Sequence, residues 1–99
     1  MDDVFKYCTG FDWDDANSSK NWLKQQVSKK ESEQVFFNEP IIVFEDLKHS
    51  IDENRYFLLG KTDKSRLLMT VFTIRENLIR VISARDMSKK ERSIYESKK

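Results

Sequence analysis

Two apolar runs around a short polar break constrain this chain more than any other feature. Leu67 to Ile74 and Leu78 to Ser83 are rich in β-branched and aromatic residues, with Arg75-Glu76-Asn77 between them. That is the sequence form of an antiparallel hairpin. With Glu76-Asn77 as a two-residue turn, Arg75 lies opposite Leu78, Thr73 opposite Arg80 and Val71 opposite Ile82. Period-two alternation then places Met69, Val71, Thr73, Arg75, Leu78, Arg80 and Ile82 on one face. Leu68, Thr70, Phe72, Ile74, Ile79, Val81, Ser83 and Arg85 fall on the other. Both faces are apolar at mid-strand, so the sheet needs a cover on each side, from its own helices or from a partner. Arg75 and Arg80 rise close together from one face.

The remaining elements follow from local signals. Met1 to Gly10 reads as a loose or strand-like leader, and Phe11-Asp12-Trp13-Asp14 suits a short strand with its aromatic side inward, Asp12 or Asp14 then serving as an N-cap. Asp15 to Gln25 is weakly amphipathic and predicts a first helix. Ser28 and Glu31 have capping-box spacing, which predicts a second over Glu31 to Phe37 with Val35 and Phe36 inward and Pro40 beyond its end. Ile41 to Phe44 and Arg55 to Gly60 read as strands. Ser88 and Glu91 repeat the capping box before a last helix, Lys89 to Glu96. The expected fold is α+β in a single domain over residues 1–99: two N-terminal helices, a four-stranded antiparallel meander and a C-terminal helix.

Charge is nearly balanced at +1 but unevenly placed. Residues 1–50 carry 6 Lys/Arg against 10 Asp/Glu, and residues 51–99 carry 12 against 7, including every arginine. Arginine contacts phosphate in a bidentate manner, so a polyanion is a candidate partner. No apolar run reaches membrane-spanning length and the N-terminus lacks a signal-peptide pattern, which points to the cytoplasm and away from a membrane. The single cysteine, Cys8, has no second cysteine for a disulfide or a thiolate metal site.

Several blocks together resemble a known family. They are Phe11-Asp12-Trp13-Asp14, Asn21-x-x-Lys24, Val27-Ser28, Val35-Phe36 with Pro40, His49-Ser50-x-x-Glu53-x-Arg55, Gly60, Arg66-Leu67-Leu68, Thr73-x-Arg75, Ile79 to Arg85, and Glu91-Arg92-x-x-Tyr95-Glu96. In this order and spacing they resemble the BrnT family of type II toxins. The resemblance implies a small RelE-like ribonuclease that cleaves RNA without a metal or other cofactor and stops translation. It implies a BrnA-like antitoxin as partner, with operator DNA bound only through that antitoxin. The chain departs from the family pattern twice: Gln25-Gln26 stand where the family usually has His-Gly, and Glu76 stands where it usually has Gly. The first removes an imidazole, and an alternative reading is therefore a catalytically weakened homologue that binds antitoxin and acts as a corepressor.

Metal-free RNA cleavage needs a base for the 2′-hydroxyl, cations around the phosphorane and an acid for the leaving oxygen. Lys24, His49, Glu53, Arg75, Arg80 and Arg85 are the catalytic candidates, with Arg55, Arg66 and Tyr95 as RNA-binding residues. His49 is the only histidine and titrates near neutrality. Each has a plainer role. His49 sits in a polar loop where histidines usually serve turns, Arg55 and Arg66 lie at strand starts where a solvated charge guards an edge, and Arg85 has Asp86 and Glu91 within reach as partners. Arg80 is the hardest to dismiss, because mid-strand between Leu78 and Ile82 it must be paired, snorkelling or functional.

Overall fold

The computed structural model describes residues 5–13, 26–46 and 54–98. In chain order these form β1 (Gly10–Phe11), α1 (Lys29–Gln34), β2 (Ile42–Glu45), β3 (Arg55–Lys61), β4 (Leu67–Arg75), β5 (Leu78–Asp86) and α2 (Lys89–Glu96). The strands make one five-stranded sheet in the order β1-β5-β4-β3-β2. β2 through β5 pair antiparallel in sequence order, as a meander does. β1, however, runs parallel to β5.

The class is α+β, but the expected two N-terminal helices and four antiparallel strands are corrected. The sheet is mixed and has a fifth strand, and among the described residues one helix, not two, precedes β2. The helix expected over 15–25 lies outside the described residues. The short strand expected over Phe11 to Asp14 forms at Gly10–Phe11, and its parallel pairing with β5 is not written in so short a pattern. It is fixed instead by backbone bonds: the Thr9 amide donates to the Asn77 carbonyl at 2.9 Å and the Asp12 amide to that of Ile79 at 2.8 Å.

Both capping boxes form. The Glu31 amide donates to Ser28 Oγ and the Ser28 amide returns to Glu31 Oε1, each at 3.1 Å. Ser88 and Glu91 exchange the same pair at 3.2 and 2.8 Å. α1 stops at Gln34 rather than Phe37, since the Phe36 and Phe37 amides bond back to Glu33 and Gln34, a tighter i→i−3 pattern. That last turn still delivers Val35 and Phe36 to the core, as expected. It approaches β3 so closely that a Cβ on Gly60 would stand 2.9 Å from the Val35 carbonyl oxygen. Glycine is therefore required by contact there.

Each sheet face has its own core. On one, Leu58, Leu68, Phe72, Ile79, Val81 and Ala84 pack beneath Val27, Val35 and Phe36, with Phe5, Phe11 and Trp13 against them. Phe36 meets Phe72 edge to face at 5.1 Å between centroids, and burying a ring such as Phe72 contributes roughly 2–3 kcal/mol. On the other face Leu59 packs with Met87 and Tyr95, flanked by Ile42, Leu67, Met69 and Ile94. The Tyr95 hydroxyl donates to the Pro40 carbonyl at 2.8 Å, which fastens α2 to the approach of β2.

The central hairpin keeps the expected pairs Arg75–Leu78 and Thr73–Arg80. Val71 instead faces Ser83, because a bulge at Val71/Phe72 leaves Ile82 as an extra residue. This correction has a clear cause. Unbroken alternation would drive the Arg85 guanidinium into the core face and turn Ala84 out; the bulge reverses both, and Ala84 is 1% exposed. The turn residues Glu76 and Asn77 have φ of 55° and 66°, the sign pattern of the type I′ turn that matches hairpin twist.

A glutamate in the left-handed region is strained where glycine is not. Glu76→Gly is expected to raise stability by about 0.5–1 kcal/mol, read as a higher urea midpoint at unchanged m-value; a lower midpoint would show that Glu76 makes a compensating contact.

Candidate functional site

The arginines of the second half divide by their place in the sheet. At the end where β4 begins and β5 finishes, Arg66 is held by two acids. Its Nε donates to Asp86 Oδ1 at 2.8 Å and Nη2 to Oδ2 at 3.2 Å, while Nη1 reaches Glu31 Oε2 at 3.2 Å and the Gln26 carbonyl at 2.9 Å. Arg66 thus ties the α1 N-terminus to the hairpin. Arg85 does the same for α2, donating from Nη1 and Nη2 to the two carboxylate oxygens of Glu91 at 2.8 and 2.9 Å. The capping glutamate of each helix is therefore also an arginine partner.

The electrostatics agree with that assignment. The Arg66 bond pulls the Asp86 carboxyl below its usual range against a smaller opposing effect of burial. The Arg85 bond does likewise for Glu91. At Glu31 burial pushes upward, and the Ser28 amide together with Arg66 outweighs it, so the net direction is again downward. Arg66 itself is raised, chiefly by its bond to Asp86.

Three other arginines gather toward the opposite, turn end. Arg55 on β3 pairs in register with Thr73 on β4, and Thr73 pairs with Arg80 on β5. Directly paired residues share a face, so Arg55, Thr73 and Arg80 form one row across three strands. Two strand spacings separate the arginine Cα atoms by roughly 10 Å, a span that two arginine side chains are long enough to bridge. Arg75 follows on the same face, exposed at the end of β4. Thr73 is 1% exposed, and its hydroxyl donates to the Asn54 carbonyl at 2.6 Å. That bond fixes the entry into β3 beside Arg55, and the Asp46 amide, donating to the Arg55 carbonyl at 2.7 Å, fixes the exit from β2 at the same place.

Of the residues singled out from sequence, the structure thus brings together Arg55, Arg75 and Arg80. Arg66 stands at the far end of the sheet. The bulge turns Arg85 onto the Arg80 face, contrary to the unbroken alternation, but its guanidinium is engaged by Glu91. Tyr95 is fully buried under α2 with its hydroxyl bonded, so its ring has no face to offer a base. Lys24, His49 and Glu53 lie outside the described residues; Trp13 packs on the core with its indole N–H donating to Glu33 at 2.6 Å. Sequence reasoning passed over Thr73 as a site residue. Its signal was available, since a threonine directly opposite Arg80 on an apolar face is a polar group that needs a partner.

Among the described residues no group of three or more His, Cys, Asp or Glu is gathered as metal ligands, and none forms a helix long and apolar enough to cross a membrane. The structure is thus a small α+β sheet with Arg55, Arg75 and Arg80 on one face. Residues 13–91 match the family model described as the ribonuclease toxin BrnT of type II toxin-antitoxin systems, and the chain belongs to that family. A type II system implies an antitoxin as partner. Comparison with curated proteins gives no match.

The three lowered carboxyl groups give a signed pH dependence. A depressed folded-state pKa contributes stability that is complete above the ordinary carboxylate range and lost as pH falls through the folded value. Thermal stability is expected to stay level from about pH 7 to 5 and to fall below about pH 4. Glu91→Gln should remove part of that acid slope; a slope unchanged by the substitution would exclude the Arg85 pair as a contributor.

Proposed function

We propose that this chain is the toxin of a type II pair, a metal-independent endoribonuclease that cleaves RNA, arrests translation and is neutralised by a BrnA-like antitoxin. The observation that carries the reading is the row Arg55–Thr73–Arg80 with Arg75 beyond it on one sheet face. Guanidinium groups in that arrangement grip a phosphodiester through paired hydrogen bonds and stabilise it as a phosphorane gathers charge. They do not remove the 2′-hydroxyl proton, because arginine stays protonated at neutral pH.

Proton transfer falls to His49 or Glu53, with Lys24 as a further cation. Support for the first two is their place in the chain: the segment containing them leaves β2 at Asp46 and re-enters β3 at Asn54, and both ends are bonded at the arginine row. Such a reaction belongs in the cytoplasm with RNA and antitoxin, and operator DNA is contacted through the antitoxin.

Purified chain in EDTA-containing buffer is expected to cut RNA, and Arg80→Ala to lower kcat/KM by roughly 100- to 1,000-fold, the worth of one preorganised donor to a developing oxyanion. Arg92→Ala, on exposed α2 surface, should behave as wild type. RNA left intact by wild-type protein, together with normal growth on expression without antitoxin, would overturn the ribonuclease reading in favour of an antitoxin-binding corepressor.

A further inference from the structure

On the face that carries the arginine row, the next rungs away from the turn are Phe44–Phe57–Val71–Ser83 and then Ile42–Leu59–Met69–Arg85. The second of these is roofed by α2, where Leu59, Ile42 and Met69 pack with Met87, Tyr95 and Ile94. Among the described residues the first is closed only at its Phe44 end, which packs against the same cluster. Phe57 and Val71 belong to neither buried cluster, and all four residues of the rung keep partial exposure. Phe57 stacks on Phe44 with centroids 5.1 Å apart and planes 26° from parallel. A partly exposed, ring-braced aromatic therefore lies one rung from the arginines.

We infer that Phe57, braced by Phe44, is the stacking platform for one unpaired nucleobase of the substrate, so that the RNA is single-stranded where it is cut. The inference rests on the ribonuclease reading and names the form of RNA that it takes. Arg55 and Phe57 are two residues apart on one strand, which places them on one face at a spacing of roughly 6.7 Å. One ribose bridges such a gap between a phosphate and its base. Every base offers a π-face to an aromatic ring, whereas a duplex keeps those faces stacked on one another. Phe44 limits the rotamers open to Phe57, so little order remains to be imposed on binding.

The test compares wild type, Phe57→Leu and Phe57→Trp on a single-stranded oligoribonucleotide, and on the same strand annealed to its complement. Phe57→Leu is expected to raise KM roughly 5- to 100-fold, the usual worth of a stacked base, with Phe57→Trp restoring it. The duplex should be cut roughly 100-fold more slowly, because a base must be unstacked first. A role in packing alone would lower the melting temperature of Phe57→Leu and leave KM of the folded protein where it was. That result, or equal cleavage of duplex and single strand, overturns the platform. Binding of a non-cleavable 2′-deoxy strand separates this inference from the one it rests on. If wild type cuts no RNA, the ribonuclease reading falls, and the platform is still judged by whether that strand binds Phe57→Leu more weakly and quenches the added fluorescence of Phe57→Trp.

Discussion

The β4–β5 ladder is the contact on which everything else in this molecule depends. Its turn fixes the register at one end, and its bulge changes that register by one residue partway along. Because side chains alternate with a period of two, such an offset decides which residues share a face for the remainder of the pair. Above the bulge, Thr73 and Arg80 are paired as the turn dictates. Below it, Ala84 enters the core and Arg85 leaves it. Without the bulge, Arg85 would bury a charge beneath α1, and Glu91 at the head of α2 would lose the partner that draws the helix onto the sheet.

Position in the sheet separates the arginines into two groups. Arg66 and Arg85 are met by Glu31, Asp86 and Glu91 at hydrogen-bond distance, and those carboxylates are pulled below their usual range as a result. Both of these arginines sit where a helix begins, so their geometry serves the scaffold. Exposed ion pairs stabilise little by themselves. Here each also completes a capping box, and the two effects share one carboxylate. Arg55, Arg75 and Arg80 lie at the other end, arranged by strand register rather than by a helix cap.

Elements written in local signals were legible in the sequence: both capping boxes, the two-residue turn, α2 to the residue, and the strand pairs next to the turn. What escaped depends on contacts between distant segments. A short strand near Phe11 was expected, but not its place in the sheet, parallel to β5 over Gly10–Phe11. The bulge is a compromise between alternation and the cost of burying Arg85, and no window of sequence shows both. For the same reason Arg55 and Arg80, far apart in the chain, could be nominated separately but not placed in one row; that required the β3–β4 register. Tyr95 misled for the opposite reason, since its helical position was right and only the packing of Leu59 and Met87 around it shows that it faces inward.

The two departures from the family pattern share a physical character. Gln26 and Glu76, where the resemblance leads one to expect glycine, both have φ of 55°. The backbone at each place thus retains the left-handed turn that glycine adopts without strain, at a cost of roughly 1–2 kcal/mol for a side-chain-bearing residue. Surrounding bonds hold the conformation regardless: the Gln26 carbonyl accepts from Arg66, and Glu76 sits in a hairpin anchored by the Arg75–Leu78 pair. At either place the backbone therefore has a conformation open to glycine. At Glu76 the side chain is a carboxylate next to Arg75, at the rim of the arginine row.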